Sequence, residues 1–187
     1  MNTPEISDSG RYALWEDADS AAVFVCRRCG DCCNGQGGIV LCSKDSERLA
    51  THLGLSLFAF HAQYTEEVRG KRRLVCGGSG SCVFSSGCGC SVHEAKPDVC
   101  RAWPFFRGNL TDPSSLAMAK AGCPGIHAAA DFAGFAQAGA RYLLVRGICL
   151  PPNETASPAA LLPEQFLWRI AEEDTLPYMG TRTEEVQ

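Results

Sequence analysis

From Ser43 to Gly54 the chain reads SKDSERLATHLG, with Leu49 and Leu53 four residues apart. Apolar residues at that spacing share one helix face, so this stretch predicts a core-facing helix capped by Ser43. Lys44, Asp45, Glu47 and Arg48 are assigned to its exposed side. Ser56 is placed to cap a second helix, LFAFHAQYTEEV, with Leu57, Phe58, Phe60 and Tyr64 as core. Pro97 suits the first turn of a short helix, PDVCRAW, which Pro104 ends. Phe132, Phe135, Tyr142 and Leu143 recur at helical spacings, predicting one long helix from His127 to Val145 despite Gly134 and Gly139. Pro163 starts a last amphipathic helix through Glu173. The strand signals are shorter: Ile39 to Leu41, KRRLVC at 71–76 and SLAMAK at 115–120.

Short strands among short helices predict a small single α+β domain, loop-rich, with its long helix in the C-terminal half. Residues 1–22 are a polar, acidic lead-in, with Tyr12, Leu14 and Trp15 tacked onto the body. Residues 23–150 form the main domain, and 151–187 hold a PPNETASP linker followed by the last helix. Between Gly77 and Gly89 the chain is rich in Gly and Ser, which lets backbone fold closely around something and delivers Cys82.

Charge and composition narrow the function. A formal net charge of -4 offers no basic footprint, so nucleic acid is not an expected partner. No run approaches a membrane span, and the N-terminus lacks the basic and apolar regions of a signal peptide. The expected compartment is the reducing cytoplasm, where a cysteine array reads as metal-binding or catalytic. No P-loop, dinucleotide fingerprint or nucleophile elbow is present; GGSGS at 77–81 is too irregular.

The twelve cysteines change the picture most. Four of them, Cys26, Cys29, Cys32 and Cys33, fall within FVCRRCGDCCNGQGG. The vicinal pair Cys32 and Cys33 cannot close a disulfide without severe strain. A dithiol redox motif expects one C-x-x-C opening a helix, whereas here two overlap among glycines. Metal ligation fits best, because three thiolates spaced by two residues wrap one face of a centre. The same spacing opens ferredoxin-type cluster motifs, and it does not by itself choose iron–sulfur over zinc. Cys82, Cys90, Cys100 and Cys123 each lie beside a turn-former or helix start, where a side chain can be aimed inward.

The order F-x-C-x-x-C-G-x-C-C, D-x-x-R-L-A-x-x-L-G, C-x-F, C-x-V-H-E-x-K-P-x-x-C-R-x-W-P-F and C-P-G-I, over about residues 24–127, resembles the YkgJ-type cysteine-cluster proteins, described as zinc- or iron-chelating. Residue by residue, the resemblance implies the ligands Cys26, Cys29, Cys32, Cys33, Cys82, Cys90, Cys100 and Cys123, in two four-cysteine sites or one site with spare thiols. Cys88 and His93 are secondary candidates, and His127 also lies close to a proposed ligand. Cys42, Cys76 and Cys149 stand outside the pattern and read as small buried hydrophobes. Arg27, Arg28 and Arg101 sit next to ligands and are placed to offset thiolate charge. Trp103, Phe105 and Phe106 are expected to wall the site from water.

By analogy with related domains the implied cofactor is an iron–sulfur cluster, [4Fe-4S], with zinc as the alternative. The implied role is redox, electron transfer or maturation, with a protein partner. A structural or storage zinc protein and a metalloenzyme with an open cluster site are the alternatives. Whether the chain catalyses a reaction, and its oligomeric state, are left open by the residues.

Overall fold

The computed structural model describes residues 17–34, 38–77, 80–86, 89–150 and 160–172. Tyr12, Leu14, Trp15, Cys88 and the linker at 151–158 lie outside these residues. The architecture is α+β, with short antiparallel strand pairs among helices.

The polar lead-in ends in a helix, α1 (Asp17–Val23). Helix α2 (Ser43–His52) begins one residue earlier than Ser43 capping requires, because Cys42 is the N-cap. Cys42 and Asp45 form a reciprocal capping box: the Cys42 sulfur accepts the Asp45 N–H, and Asp45 Oδ2 accepts the Cys42 N–H at 3.2 Å, with the Cys42 thiol also donating to that oxygen at 3.1 Å. Asp45 is therefore buried, at 1% exposure, and not on the solvent side. Helix α3 (Leu57–Tyr64) does start at Ser56, whose Oγ accepts the Ala59 N–H at 3.1 Å. It ends earlier than expected, and Leu57 and Phe58 are exposed, Phe58 to 84%, so neither is core.

The expected helical residues TEEV are a strand. β1 (Thr65–Val68) pairs antiparallel with β2 (Lys71–Leu74) across the two-residue turn Arg69–Gly70, both at positive φ. Register places Glu66 opposite Arg73, and their side chains pair at 2.9 Å. Local charge complementarity around a hairpin turn has outweighed helical continuation. The strand expected at 39–41 reduces to a single bridge, Val40 to Arg73, on the edge of this hairpin. A second, smaller pair joins β3 (Ser85–Ser86) and β4 (Gly89–Cys90).

Helix α4 (Asp98–Ala102) follows Pro97, and α5 (Arg107–Thr111) follows Phe106. SLAMAK lies inside helix α6 (Pro113–Gly122), not a strand. Asp112 caps it by accepting the N–H groups of Ser114 and Ser115 at 3.0 Å each, with Pro113 in the first turn. The long helix α7 (Phe132–Val145) starts five residues later than expected, because Asp131 accepts the Gly134 N–H at 2.8 Å and fixes the cap there. Helix α8 (Glu164–Glu172) lies against α7, and Arg141 donates to the Ala171 carbonyl at 3.3 Å and 3.2 Å.

Two buried clusters result. One gathers Phe105, Leu110, Phe135, Leu143, Ile148 and Leu167 from α5, α7, α8 and their connections. The other gathers Leu41, Leu49, Phe60, Leu74, Phe84 and Val92 around α2, α3 and the first hairpin. Residues from both clusters line a single cavity of about 470 Å³.

Candidate metal centre

Backbone pairing delivers the cysteines to that cavity from separate parts of the chain. Phe24 bridges Ile126, the Val25 N–H donates to the Gly125 carbonyl at 2.9 Å, and the His127 N–H donates to Val23 at 2.9 Å. This zipper holds Cys26 alongside the segment carrying Cys123. It needs a glycine at 125, since a Cβ there would stand 2.6 Å from the Val25 carbonyl oxygen. After Arg28 and Gly30, both at positive φ, a single turn of 3-10 helix (Asp31–Cys33) presents the vicinal pair. The Cys82 N–H then donates to the Cys33 carbonyl at 3.0 Å, bringing those two residues together.

β3 and β4 place Cys90 opposite Ser85. Gly89, at φ +107, lets the Arg28 carbonyl approach so closely that a Cβ would meet it at 2.8 Å. Cys100 is carried by α4.

All eight cysteines, Cys26, Cys29, Cys32, Cys33, Cys82, Cys90, Cys100 and Cys123, line the one cavity, and His93 lines it with them. Cys26, Cys29 and Cys32 are exposed, Cys33, Cys82, Cys90 and Cys100 half-buried, and Cys123 buried. Among the described residues, no three of these thiols lie within 4.8 Å of one another. His127 does not line the cavity; its Nδ1 is 2.7 Å from the Ala22 carbonyl oxygen.

The cavity opposes unpaired thiolate charge. Although Cys32 presents surface to solvent on the cavity side, desolvation by the surrounding walls, reinforced by Cys33, pushes its thiol up to about 12. Burial also raises Cys33, Cys82 and Cys100, with neighbouring cysteines adding to it. Thiols that resist ionising alone are suited to ionise against a cation, because a metal replaces the protons. His93 supplies a second sign of fit: its Nε2 is buried with no hydrogen-bond partner, and burial lowers its pKa, so the ring favours the neutral, donor-capable form.

Charge compensation differs from the expectation in part. Arg27 and Arg28 line the cavity, but Arg101 does not, and its guanidinium lies 4.0 Å from Asp98. Lys96 takes the remaining place; it lines the cavity and acts electrostatically on Cys32, Cys33 and His93. The K-P step of the cysteine pattern, Lys96-Pro97, was the available signal. Trp103 and Phe106 form part of the wall as expected, stacked edge to face at 5.2 Å between centroids. Phe105 faces the core instead, 1% exposed against Phe135 and Tyr142.

Of the cysteines outside the pattern, Cys149 packs against the first core cluster. Cys76 is exposed and lines the cavity, contrary to a buried packing role. Cys42, Asp45 and Asp98 do converge within 4.8 Å. Their carboxylates are already taken by Arg48, which reaches Asp45 and Asp98, and by Lys44 at 2.7 Å from Asp98. That trio is a structural ion-pair network.

Residues 25–124 match the family described as "CxxCxxCC: Putative zinc- or iron-chelating domain". The chain belongs to this family. YkgJ-type proteins are members of it. Comparison with curated proteins and with solved structures finds no match. Family membership and the cysteine array together support metal binding, with zinc or iron as the metal. Among the described residues no helix is long and apolar enough to cross a membrane.

Proposed function

We propose that this domain holds a polynuclear iron centre, an iron–sulfur cluster of the [4Fe-4S] type, through thiolates drawn from the eight cavity cysteines. The observation that carries the reading is their number: all eight line one cavity of about 470 Å³, more thiols and more room than a single four-coordinate zinc ion uses. When bound, such a centre supplies one-electron redox chemistry.

The protein's own residues do the rest. The arginines at 27 and 28 and Lys96 offset the negative charge that thiolate ligation leaves. The indole of Trp103 and the ring of Phe106 keep water from one wall, and His93 offers a neutral nitrogen to the cavity. Exposure of Cys26, Cys29 and Cys32 leaves the centre reachable from one side, which suits electron exchange with, or maturation of, a protein partner in a reducing cytoplasm.

Anaerobic purification tests this. The expected product is brown, absorbs broadly near roughly 400 nm from sulfur-to-iron charge transfer, and contains several irons per chain. Colourless protein with stoichiometric zinc overturns it. That outcome would support the second reading, a structural or storage zinc centre, with which the family's zinc- or iron-chelating character equally agrees.

A further inference from the structure

Cys76 has no role in the ligand set, yet it sits directly across an antiparallel bridge from one of the ligands, Cys82. The flanking hydrogen bonds define the kind of pair. The Gly77 N–H donates to the Ser81 carbonyl at 2.8 Å, and the Val83 N–H donates to the Val75 carbonyl at 3.2 Å. The bonds lie outside the pair, so Cys76 and Cys82 are a non-hydrogen-bonded pair, the closer of the two antiparallel arrangements, with Cα atoms typically about 4.5 Å apart. Disulfides accept Cα separations of about 4.4–6.8 Å. Both thiols are free, and Cys76 is the exposed member.

We propose that Cys76 and Cys82 are a redox pair that closes a cross-strand disulfide in response to hydrogen peroxide and so takes Cys82 out of the metal's ligand set. The Cys76 thiolate attacks one peroxide oxygen; the O–O bond breaks and hydroxide leaves, taking up a proton as water. Cys76 is then a sulfenic acid. The Cys82 thiolate attacks the Cys76 sulfur, the S–O bond breaks, and a second hydroxide leaves as water. In sum, two thiols and one hydrogen peroxide become one disulfide and two waters. Accessibility sets the order, with exposed Cys76 meeting the oxidant and half-buried Cys82 resolving it. The disulfide stands on the hairpin geometry alone, whereas its regulatory consequence rests on the metal-centre reading.

Two arms keep these apart. In the first, reduced, metal-free full-length protein is titrated with hydrogen peroxide, alkylated with iodoacetamide, and digested with trypsin and chymotrypsin. The Val75–Phe84 peptide contains Cys76 and Cys82 and no other cysteine. It is expected two hydrogens lighter and inert to alkylation until reduced, and Cys76→Ser abolishes this. A peptide that stays doubly alkylated, or Cys76 joined to a different cysteine, overturns the pair.

In the second arm, protein is loaded with zinc, which peroxide does not itself oxidise, and peroxide-driven release is followed with a chromophoric chelator. Release is expected several-fold slower from Cys76→Ser than from wild type. Equal rates, or a Cys76→Ser protein that loads less zinc before any peroxide is added, overturn the regulatory role. If reduced wild-type protein takes up neither zinc nor iron, the metal-centre reading fails and the regulatory role with it, while the first arm still decides the disulfide.

Discussion

Asp45 Oδ1 accepts the backbone N–H of Asp98 at 2.9 Å, so a carboxylate on α2 caps the helix that carries Cys100. Arg48, one turn further along α2, completes the link. Its guanidinium reaches both carboxylates and donates to the Lys96 carbonyl at 2.7 Å. The D-x-x-R pattern of α2 therefore fixes the 95–98 segment, directly ahead of a ligand and beside Lys96.

Asp45→Ala strands the Asp98 N–H, the Cys42 N–H and part of the Arg48 charge. The expected loss is on the order of 3 kcal/mol, since a buried, charge-assisted network loses its central acceptor. Urea unfolding of the metal-free protein measures it, and metal stoichiometry at equal protein concentration is expected to fall as Cys100 loses its fixed position. Asp45→Asn, which keeps an oxygen for the Asp98 N–H, is expected to recover part of both.

Gly125→Ala pushes a methyl group into the Val25 carbonyl at 2.6 Å and the Phe24 ring at 2.9 Å. Overpacking of this kind costs about 1–3 kcal/mol. It also parts the paired backbone segments next to Cys26 and Cys123, so metal uptake is expected to drop more than stability alone explains. Gly122→Ala is the control for stability: nothing lies within 4 Å of the added Cβ, and thermal unfolding is expected to stay near wild type.

Gly139→Ala lies in the interior of α7, where Ala ordinarily gains about 1 kcal/mol over Gly. Here the added Cβ overlaps the Phe105 ring and comes within 2.9 Å of Leu110 Cδ2. The net effect is expected to be destabilising by about 1–3 kcal/mol, with the sign read from the shift in denaturation midpoint. An unchanged or raised midpoint would show that Phe105 can move aside.

Alkaline stability follows from Cys42. Burial and then its hydrogen bond to Asp45 push this thiol from an ordinary 9.0 up to about 12. Since the folded chain holds the proton more tightly than the unfolded chain does, the contribution is fully present below about pH 9 and is lost as pH rises towards about 12. Metal-free Cys42→Ala is expected to show a shallower decline of unfolding free energy across that window than wild type.

The start of a helix was legible where a clear cap preceded it, as at Ser56, and a face where Leu49 turned inward, whereas Leu57 and Phe58 are exposed; the eight cysteines could be singled out because their order and neighbours form a pattern. Other features were locally ambiguous. SLAMAK reads as a strand until Asp112-Pro113 is recognised as a cap with proline in the first turn, which six-residue propensity does not show. TEEV reads as helix until KRRL folds back on it and Glu66 meets Arg73. Asp45 looks like an exposed helix carboxylate until Asp98, 53 residues away, supplies its donor.

Taken alone, the sequence determined the chemistry on offer, many thiols with little compensating charge, and the helices whose apolar spacing exceeds local noise. Tertiary structure decided which thiols share a cavity, that Lys96 joins them there, and that Cys76 faces Cys82. Those relationships depend on backbone pairing between segments far apart in the chain, and a hydrogen bond between distant carbonyl and amide groups leaves no mark on the side chains that it brings together.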